Sequence, residues 1–187
     1  MRVISGSARG RKLKEPAGHG IRRTSDMVKE SIFNIIQFDI EGRRVLDLFA
    51  GTGQMGIEAL SRGAKGVTFV DSSPEAVKLI RENLKLCGFD DRATVHTRDA
   101  LRHLGRNQPG DQDRETYDLI FVDPPYGTEL ASAAVEGIIR FDKLNANGII
   151  ICETKANYVM KAVSLPYSLQ KEYRYGSVKI MRYTREN

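Results

Sequence analysis

The segment from Val45 to Gly56 constrains the fold of this 187-residue chain more than any other. Val45 to Phe49 is an apolar run that predicts a buried strand, and Gly51, Gly53 and Gly56 follow it at the spacing G-x-G-x-x-G before a helical pattern begins. Glycine at these positions permits a tight turn, close approach of a ligand and close packing of the helix on the strand. The segment therefore predicts the first strand, turn and helix of a nucleotide-binding α/β sheet.

Strands and helices alternate along the rest of the chain. Further apolar runs predict four more strands: 67–71, 93–97, 117–122 and 148–153. This alternation predicts a mostly parallel, right-handed, doubly wound α/β sheet. Residues 155–163 have a weakly helical pattern. Two last strands, at about 168–173 and 177–184, are predicted to form an antiparallel hairpin at the end of the sheet.

Residues 1–40 predict a small extension that precedes a sheet domain of residues 41–187. Two short apolar stretches flank a glycine-containing turn at residues 6–10, which predicts a basic hairpin. A helix is expected from about Ser25 to Phe38, with Ser25 or Thr24 as its N-cap. Spacing alone favours a structural role for this extension over contact with cofactor or RNA.

Two aspartates lie near the carboxyl ends of the first two strands, at the edge where open sheets bind ligands. Asp71 ends the second strand, about twenty residues beyond the glycine turn, where a carboxylate can accept both ribose hydroxyls. Ser73 and Pro74 can cap and start the next helix, which leaves Asp71 for the ribose. Asp47 would repel the pyrophosphate of a nicotinamide dinucleotide but attract the ammonium and sulfonium groups of S-adenosylmethionine. S-adenosylmethionine is therefore the favoured cofactor, with a dinucleotide as the alternative.

Asp99 and Ala100 follow the third predicted strand, where an adenine amino group would bind in such a site. Asp99 can equally cap a short helix from Ala100 to Leu104, and the spacing leaves both uses open. In either case Asp99 lies at the carboxyl end of a strand, beside the other two aspartates.

The turn Asp123-Pro124-Pro125-Tyr126 directly follows an apolar strand. Each proline fixes its own φ and lacks an N–H, so the turn is stiff and rich in hydrogen-bond acceptors. The Asp123 carboxylate and the Pro124 carbonyl can accept hydrogens from one planar exocyclic amino group, while the Tyr126 ring can stack on a base. The turn predicts chemistry on a nucleobase nitrogen; an ordinary proline turn with a half-buried tyrosine is the alternative.

The net charge of +5 is unevenly distributed. Residues 1–30 carry eight Lys or Arg and three acids, and residues 155–187 carry seven and two. Residues 31–154 carry fourteen basic residues and nineteen acids. Basic flanks around an acidic body predict a polyanionic substrate held by its phosphates, with a solvated basic surface as the alternative.

The composition argues against several other classes of protein. Cys87 and Cys152 lie far apart and are expected to be reduced thiols, and the three histidines form no ligand spacing with them, so no metal site is expected. No apolar run approaches a membrane span, and neither a signal peptide nor a membrane anchor is expected. A cytoplasmic monomer with one compact core is expected.

These motifs resemble one family, the bacterial 16S ribosomal RNA guanine N2-methyltransferases of the small subunit, within the class I S-adenosylmethionine-dependent (Rossmann-like) fold. The resemblance covers nearly the whole chain and rests on six segments: Arg9 to Leu13, Thr24 to Glu30, Asp47 to Gly53, Glu58 to Ala64, Asp123 to Tyr126 and Tyr175-Gly176. The glycine turn is generic to the fold, whereas the basic hairpin together with the prolyl turn is more specific. The family commonly has proline at Arg23 and often glutamate at Asp71.

The resemblance implies methyl transfer from S-adenosylmethionine to the exocyclic N2 of a guanine in 16S rRNA, within the small subunit or a late assembly particle. It implies that the turn from Asp123 to Tyr126 is the catalytic site. The implied cofactor contacts are Thr24, Ser25, Asp47, Phe49, Gly51, Gly53, Asp71, Ser72, Asp99 and Ala100. The implied RNA contacts are Arg9, Arg11, Lys12, Arg22 and Arg23.

Three alternatives stay open. The same acceptor geometry serves methylation of adenine N6 in DNA or RNA. A donor-binding RNA-assembly factor without catalysis is a second possibility, which the intact set Asp47, Gly51, Asp71 and Asp123 disfavours. A glutamine-modifying protein methyltransferase ranks lower, because such enzymes usually have asparagine at the position of Asp123.

Overall fold

A computed structural model of the protein describes residues 1–16, 26–106 and 115–186. In this part of the chain seven strands form one sheet: β1 (Arg44–Leu48), β2 (Gly66–Asp71), β3 (Ala93–Thr97), β4 (Tyr117–Val122), β5 (Leu144–Lys155), β6 (Tyr167–Tyr175) and β7 (Val178–Arg185). Their order is β3-β2-β1-β4-β5-β7-β6. The first five strands are parallel, and β7 pairs antiparallel with both β5 and β6. The predicted doubly wound sheet with an antiparallel hairpin at its end is confirmed.

Helices cover both faces of the sheet: α1 (Asp26–Ile35), α2 (Gln54–Ser61), α3 (Pro74–Cys87), α4 (Ala100–Leu104) and α5 (Leu130–Arg140). The first three pack on one face, and the last two on the other. Successive strand residues alternate between the two cores, so that Val45 packs under α1 to α3 and Leu46 under α4 and α5. The strand order reverses between β1 and β4, and open sheets bind ligands at the carboxyl ends beside such a reversal.

The N-terminal residues form the predicted basic hairpin, but with a single antiparallel bridge, Arg2 to Lys12. The hairpin turn docks on the end of α2, where the Ser7 N–H donates to the Ser61 carbonyl at 2.8 Å. Gly6 has φ of 82°, and a Cβ there would lie 1.8 Å from the same carbonyl oxygen, so the contact requires glycine. The N-cap predicted at Thr24 or Ser25 lies outside the described residues.

Two sequence-based element predictions are wrong. The first helix ends at Ile35 rather than near Phe38. Residues 155–163 form no helix, because their backbone groups bond to the C-terminal hairpin instead. The Ala156 N–H donates to the Ser177 carbonyl at 2.9 Å, and Lys179 Nζ donates to a carbonyl of the same loop at 2.7 Å.

None of the helices in the described ranges is long and apolar enough to cross a membrane. The longest is α3, with 14 residues. A span of the hydrocarbon core needs about 20 predominantly apolar residues.

Candidate active site

A cavity of about 360 Å³, here called the donor cavity, opens at the carboxyl ends of β1 to β4. Each of these strands contributes predicted site residues to its lining: Asp47, Phe49, Gly51, Asp71, Ser72, Asp99, Ala100, Asp123, Pro124 and Pro125. These residues are scattered over nearly eighty positions in the sequence, and the parallel strands bring them to one edge. The glycine turn and the prolyl turn therefore meet at one cleft.

Asp71 fixes the glycine turn from β2. Its Oδ2 accepts the Gly51 N–H at 2.7 Å, and its Oδ1 accepts the Ser73 N–H at 2.9 Å. The carboxylate is therefore not left wholly for ribose, as the sequence suggested, although each oxygen keeps a second lone pair for a hydroxyl. The predicted cap is present, because Ser73 Oγ accepts the Ala76 N–H at 3.2 Å.

The three glycines have different roles. Gly51 lines the donor cavity, but Gly53, which the resemblance implied as a cofactor contact, does not. Gly53 caps α2 with φ of 75°, and a Cβ there would meet the Ile80 side chain at 3.0 Å. A Cβ at Gly56 would lie 2.2 Å from the Phe69 ring, so this glycine permits the close packing of α2 on β2 that the spacing predicted.

Asp47 is buried on β1, and its Oδ2 accepts the Gly56 N–H at 2.9 Å. Burial raises the pKa of this carboxyl to about 8; the hydrogen bond from Gly56 lowers it, and the nearby carboxylates of Asp123 and Asp71 raise it. A cation bound beside Asp47 would favour the ionised form. The site is therefore suited to a positively charged ligand.

The charge of the whole lining supports the same conclusion. Four carboxylates face the donor cavity, from Asp47, Asp71, Asp99 and Asp123, and no Lys or Arg is among the described residues that line it. Phosphate groups are bound by cations and N–H donors, and they would be repelled here. A ligand with ammonium and sulfonium groups and no phosphate fits this lining, so the residues present suit S-adenosylmethionine.

Two further predicted contacts are located at the cavity wall. Asp99 caps α4, since its Oδ1 accepts the Arg102 N–H at 2.9 Å, and it also faces the cavity. The structure thus shows the capping use directly. Phe49, just after β1, has φ of 69°, a conformation that is unusual for a bulky residue and is often found at functional sites.

A second cavity of about 470 Å³, here called the base cavity, adjoins the donor cavity across Pro124 and Pro125, which line both. Tyr126 lines only the base cavity, and its hydroxyl donates to Glu153 Oε1 at 2.9 Å. Lys155 Nζ lies 5.9 Å from the centroid of the Tyr126 ring. Because Pro124 and Pro125 line both cavities, a planar group in the base cavity would lie beside the prolyl turn and next to the donor cavity.

Three of the five predicted RNA contacts are in the described part of the chain. Arg9, Arg11 and Lys12 are all exposed on the N-terminal hairpin. The other two, Arg22 and Arg23, lie outside the described residues, as do the predicted cofactor contacts Thr24 and Ser25.

Sequence reasoning missed two residues that support the site. Glu153 ends the apolar run of β5, and a carboxyl group at the carboxyl end of a strand was the available signal. Asn83 lies within α3 and is fully buried, where its amide bonds to the glycine turn. No local pattern marks Asn83, because its partners are distant in the chain.

The chain is similar to known proteins along nearly its whole length. Residues 1–184 match the model of a family described as Conserved hypothetical protein 95. The chain belongs to this family. It is 36% identical to ribosomal RNA small subunit methyltransferase D of Haemophilus influenzae, over 98% of this chain and 93% of that protein. It is 45% identical to a Bacillus subtilis protein, YlbH, provisionally named an rRNA methyltransferase, over 82% of each chain.

One solved structure shares the fold over the full length of the chain. The Escherichia coli protein yhhF, provisionally named a methyltransferase, superposes with a TM-score of 0.85 at 30% identity, covering 100% of this chain and 98% of that one. The predicted class I methyltransferase fold, the family and the use of S-adenosylmethionine are confirmed.

Proposed function

We propose that this protein transfers a methyl group from S-adenosylmethionine to the exocyclic N2 amino group of a guanine in 16S ribosomal RNA. The observation that carries the proposal is that Asp123 lines the donor cavity directly beside Pro124, which lines both the donor cavity and the base cavity. Similarity to proteins named ribosomal RNA small subunit methyltransferase D supports rRNA of the small subunit as the substrate.

The prolyl turn acts on the amino group of the base. The guanine amino nitrogen is a weak nucleophile, because its lone pair is shared with the ring. When the Asp123 carboxylate and the Pro124 carbonyl accept hydrogen bonds from its two N–H groups, they orient the amino group and restore electron density to the lone pair of its nitrogen. When bound, S-adenosylmethionine would supply a methyl group on a cationic sulfur; the nitrogen gains this methyl as the carbon–sulfur bond breaks, which leaves neutral S-adenosylhomocysteine. Asp123 stabilises the positive charge that grows on the nitrogen until one of its protons passes to solvent.

The base cavity positions the rest of the nucleotide. Tyr126 offers a ring on which the unstacked base can stack, and Glu153 fixes that ring by accepting a hydrogen bond from its hydroxyl. The exposed cations of the N-terminal hairpin would bind phosphates of the surrounding RNA. In this arrangement one base binds beside the donor, while phosphates of the surrounding RNA bind to the N-terminal hairpin.

Substitution of Asp123 tests the assignment. We expect Asp123→Ala to lower methyl transfer to unmodified small ribosomal subunits by more than about 100-fold, since it removes the charge that stabilises the reacting nitrogen. Donor affinity, measured by calorimetry with S-adenosylhomocysteine, should change little because three other carboxylates line that cavity. Full activity in this variant would refute the role of Asp123.

A further inference from the structure

Asn83 joins the basic N-terminal hairpin to the glycine turn of the donor cavity. Its side chain, on α3, is fully buried and is not among the residues that line either cavity. Nδ2 donates to the Lys14 carbonyl at 3.2 Å and to the Thr52 carbonyl at 3.3 Å, while Oδ1 accepts the Lys14 N–H at 2.7 Å. One amide group therefore holds three backbone groups from two segments that are far apart in the chain.

At one end of this link is the wall of the donor cavity. Thr52 stands between Gly51 and Gly53 and lines that cavity. The glycine turn is held from β2 by the bond between Asp71 and the Gly51 N–H, and from α3 by Asn83. A shift of the Asn83 amide would therefore shift the Thr52 carbonyl, and with it the glycine turn that lines the donor cavity.

At the other end of this link is Lys14, on the second arm of the hairpin that exposes Arg9, Arg11 and Lys12. Both backbone polar groups of Lys14 bond to the Asn83 amide, as they would to a neighbouring strand. The position of this hairpin strand thus depends on the same planar group that holds Thr52. No hairpin residue of the described segment 1–16 lines the donor cavity itself.

We propose that Asn83 is a positioning residue that couples donor binding to RNA binding. A ligand that fixes the glycine turn also fixes the amide and, through it, Lys14 and the cations before it. Binding linkage requires the effect to be reciprocal, so RNA on the hairpin must strengthen donor binding by the same factor. The inference rests on the proposed function in assigning RNA to the hairpin.

The coupling is measurable with two ligands that do not react. S-adenosylhomocysteine affinity would be measured with and without small ribosomal subunits from cells that lack this protein, and subunit affinity with and without S-adenosylhomocysteine. We expect each ligand to strengthen the other about 5-fold or more. Asn83→Asp keeps the acceptor for the Lys14 N–H but loses both donated bonds, so the factor should fall toward one, with the contact of Thr52 Oγ1 with Met1 Sδ at 3.5 Å left to join Thr52 to the hairpin.

Glu82→Gln is the matched control. Glu82 is the neighbouring residue and, among the described residues, forms an exposed ion pair with Lys14 Nζ at 2.8 Å without contacting the glycine turn, so its neutralisation should leave the coupling factor at the wild-type value. An Asn83→Asp protein that retains the full factor overturns the role of Asn83. If that variant does not fold, the wild-type protein still decides. S-adenosylhomocysteine alone should slow hydrogen exchange of the Lys14 N–H, and unchanged exchange there overturns the inference.

The remaining outcomes separate this inference from the proposed function. If both ligands bind wild-type protein without changing each other's affinity, the coupling is refuted and the proposed function stands. If the subunits neither bind nor accept a methyl group, the proposed function and the coupling fail together.

Discussion

Replacing Asp47 by asparagine should make the ligand-free protein more stable while weakening its hold on the donor. Asparagine has the shape of aspartate, and its amide oxygen can still accept the Gly56 N–H. It lacks the charge that burial opposes. Because the folded protein keeps the Asp47 proton up to a pKa of about 8, whereas the unfolded chain loses it near 3.8, this group lowers the stability of the wild-type fold as pH rises from 4 to 8.

The magnitude follows from the two pKa values. At ~1.4 kcal/mol per pKa unit, the change from 3.8 to about 8 corresponds to at most roughly 6 kcal/mol at pH 8. Water at the open side of the cavity screens part of this, and we expect Asp47→Asn to raise the free energy of unfolding by about 2 to 4 kcal/mol at pH 8. At pH 4 the difference should vanish, since folded and unfolded carboxyls are then similarly protonated.

The assay is urea unfolding of both proteins from pH 4 to pH 8, with calorimetric titration of S-adenosylhomocysteine at pH 7. A charged hydrogen bond contributes ~1.5–3 kcal/mol, so the variant should bind the ligand roughly 10- to 100-fold more weakly. Wild-type binding should release a proton as Asp47 ionises, whereas the variant should release none from this site. A stability difference that does not grow with pH, or unchanged affinity, would refute the reasoning.

Three further substitutions test other parts of the account. Gly56→Ala should lower the unfolding free energy by ~1–3 kcal/mol through its clash with Phe69, whereas Gly66→Ala, whose added Cβ meets nothing closer than 3.4 Å, lacks such a clash; urea titration of both separates these outcomes. Tyr126→Ala should raise the KM for small subunits about 5- to 100-fold by losing base stacking, with donor affinity unchanged in calorimetry. Arg11→Ala should reduce the salt dependence of RNA binding by about one unit of slope in a filter-binding series, and an unchanged slope would remove Arg11 from the interface.

The edge of the sheet was predictable from the sequence because local patterns determine it. The apolar runs and their alternation with helices predict that β1 to β4 run parallel, and parallel strands place their carboxyl ends at one edge of the sheet. Asp47, Asp71, Asp99 and Asp123 each lie within two residues of the carboxyl end of such a strand. Their convergence therefore follows from residues that are close to each strand in the sequence.

Other features depend on tertiary contacts that no local pattern encodes. Asn83 bonds to Lys14 across 69 residues of sequence, and Tyr126 bonds to Glu153 across 27. Residues 155–163 have a weak helical pattern, but pairing with the C-terminal hairpin overrides it. Gly53 matches the dinucleotide spacing, yet it does not line the cavity, and the space beside its Cα is filled by Ile80 on α3.

The identity of the methylated nucleoside tests the central claim most directly. Ribosomal RNA from cells with and without this protein would be digested to nucleosides and compared by mass spectrometry. The account predicts that N2-methylguanosine from 16S rRNA decreases when the protein is absent and returns when wild-type protein, but not the Asp123→Ala variant, is restored. Loss of N6-methyladenosine instead, or no change in any methylated nucleoside, would contradict it.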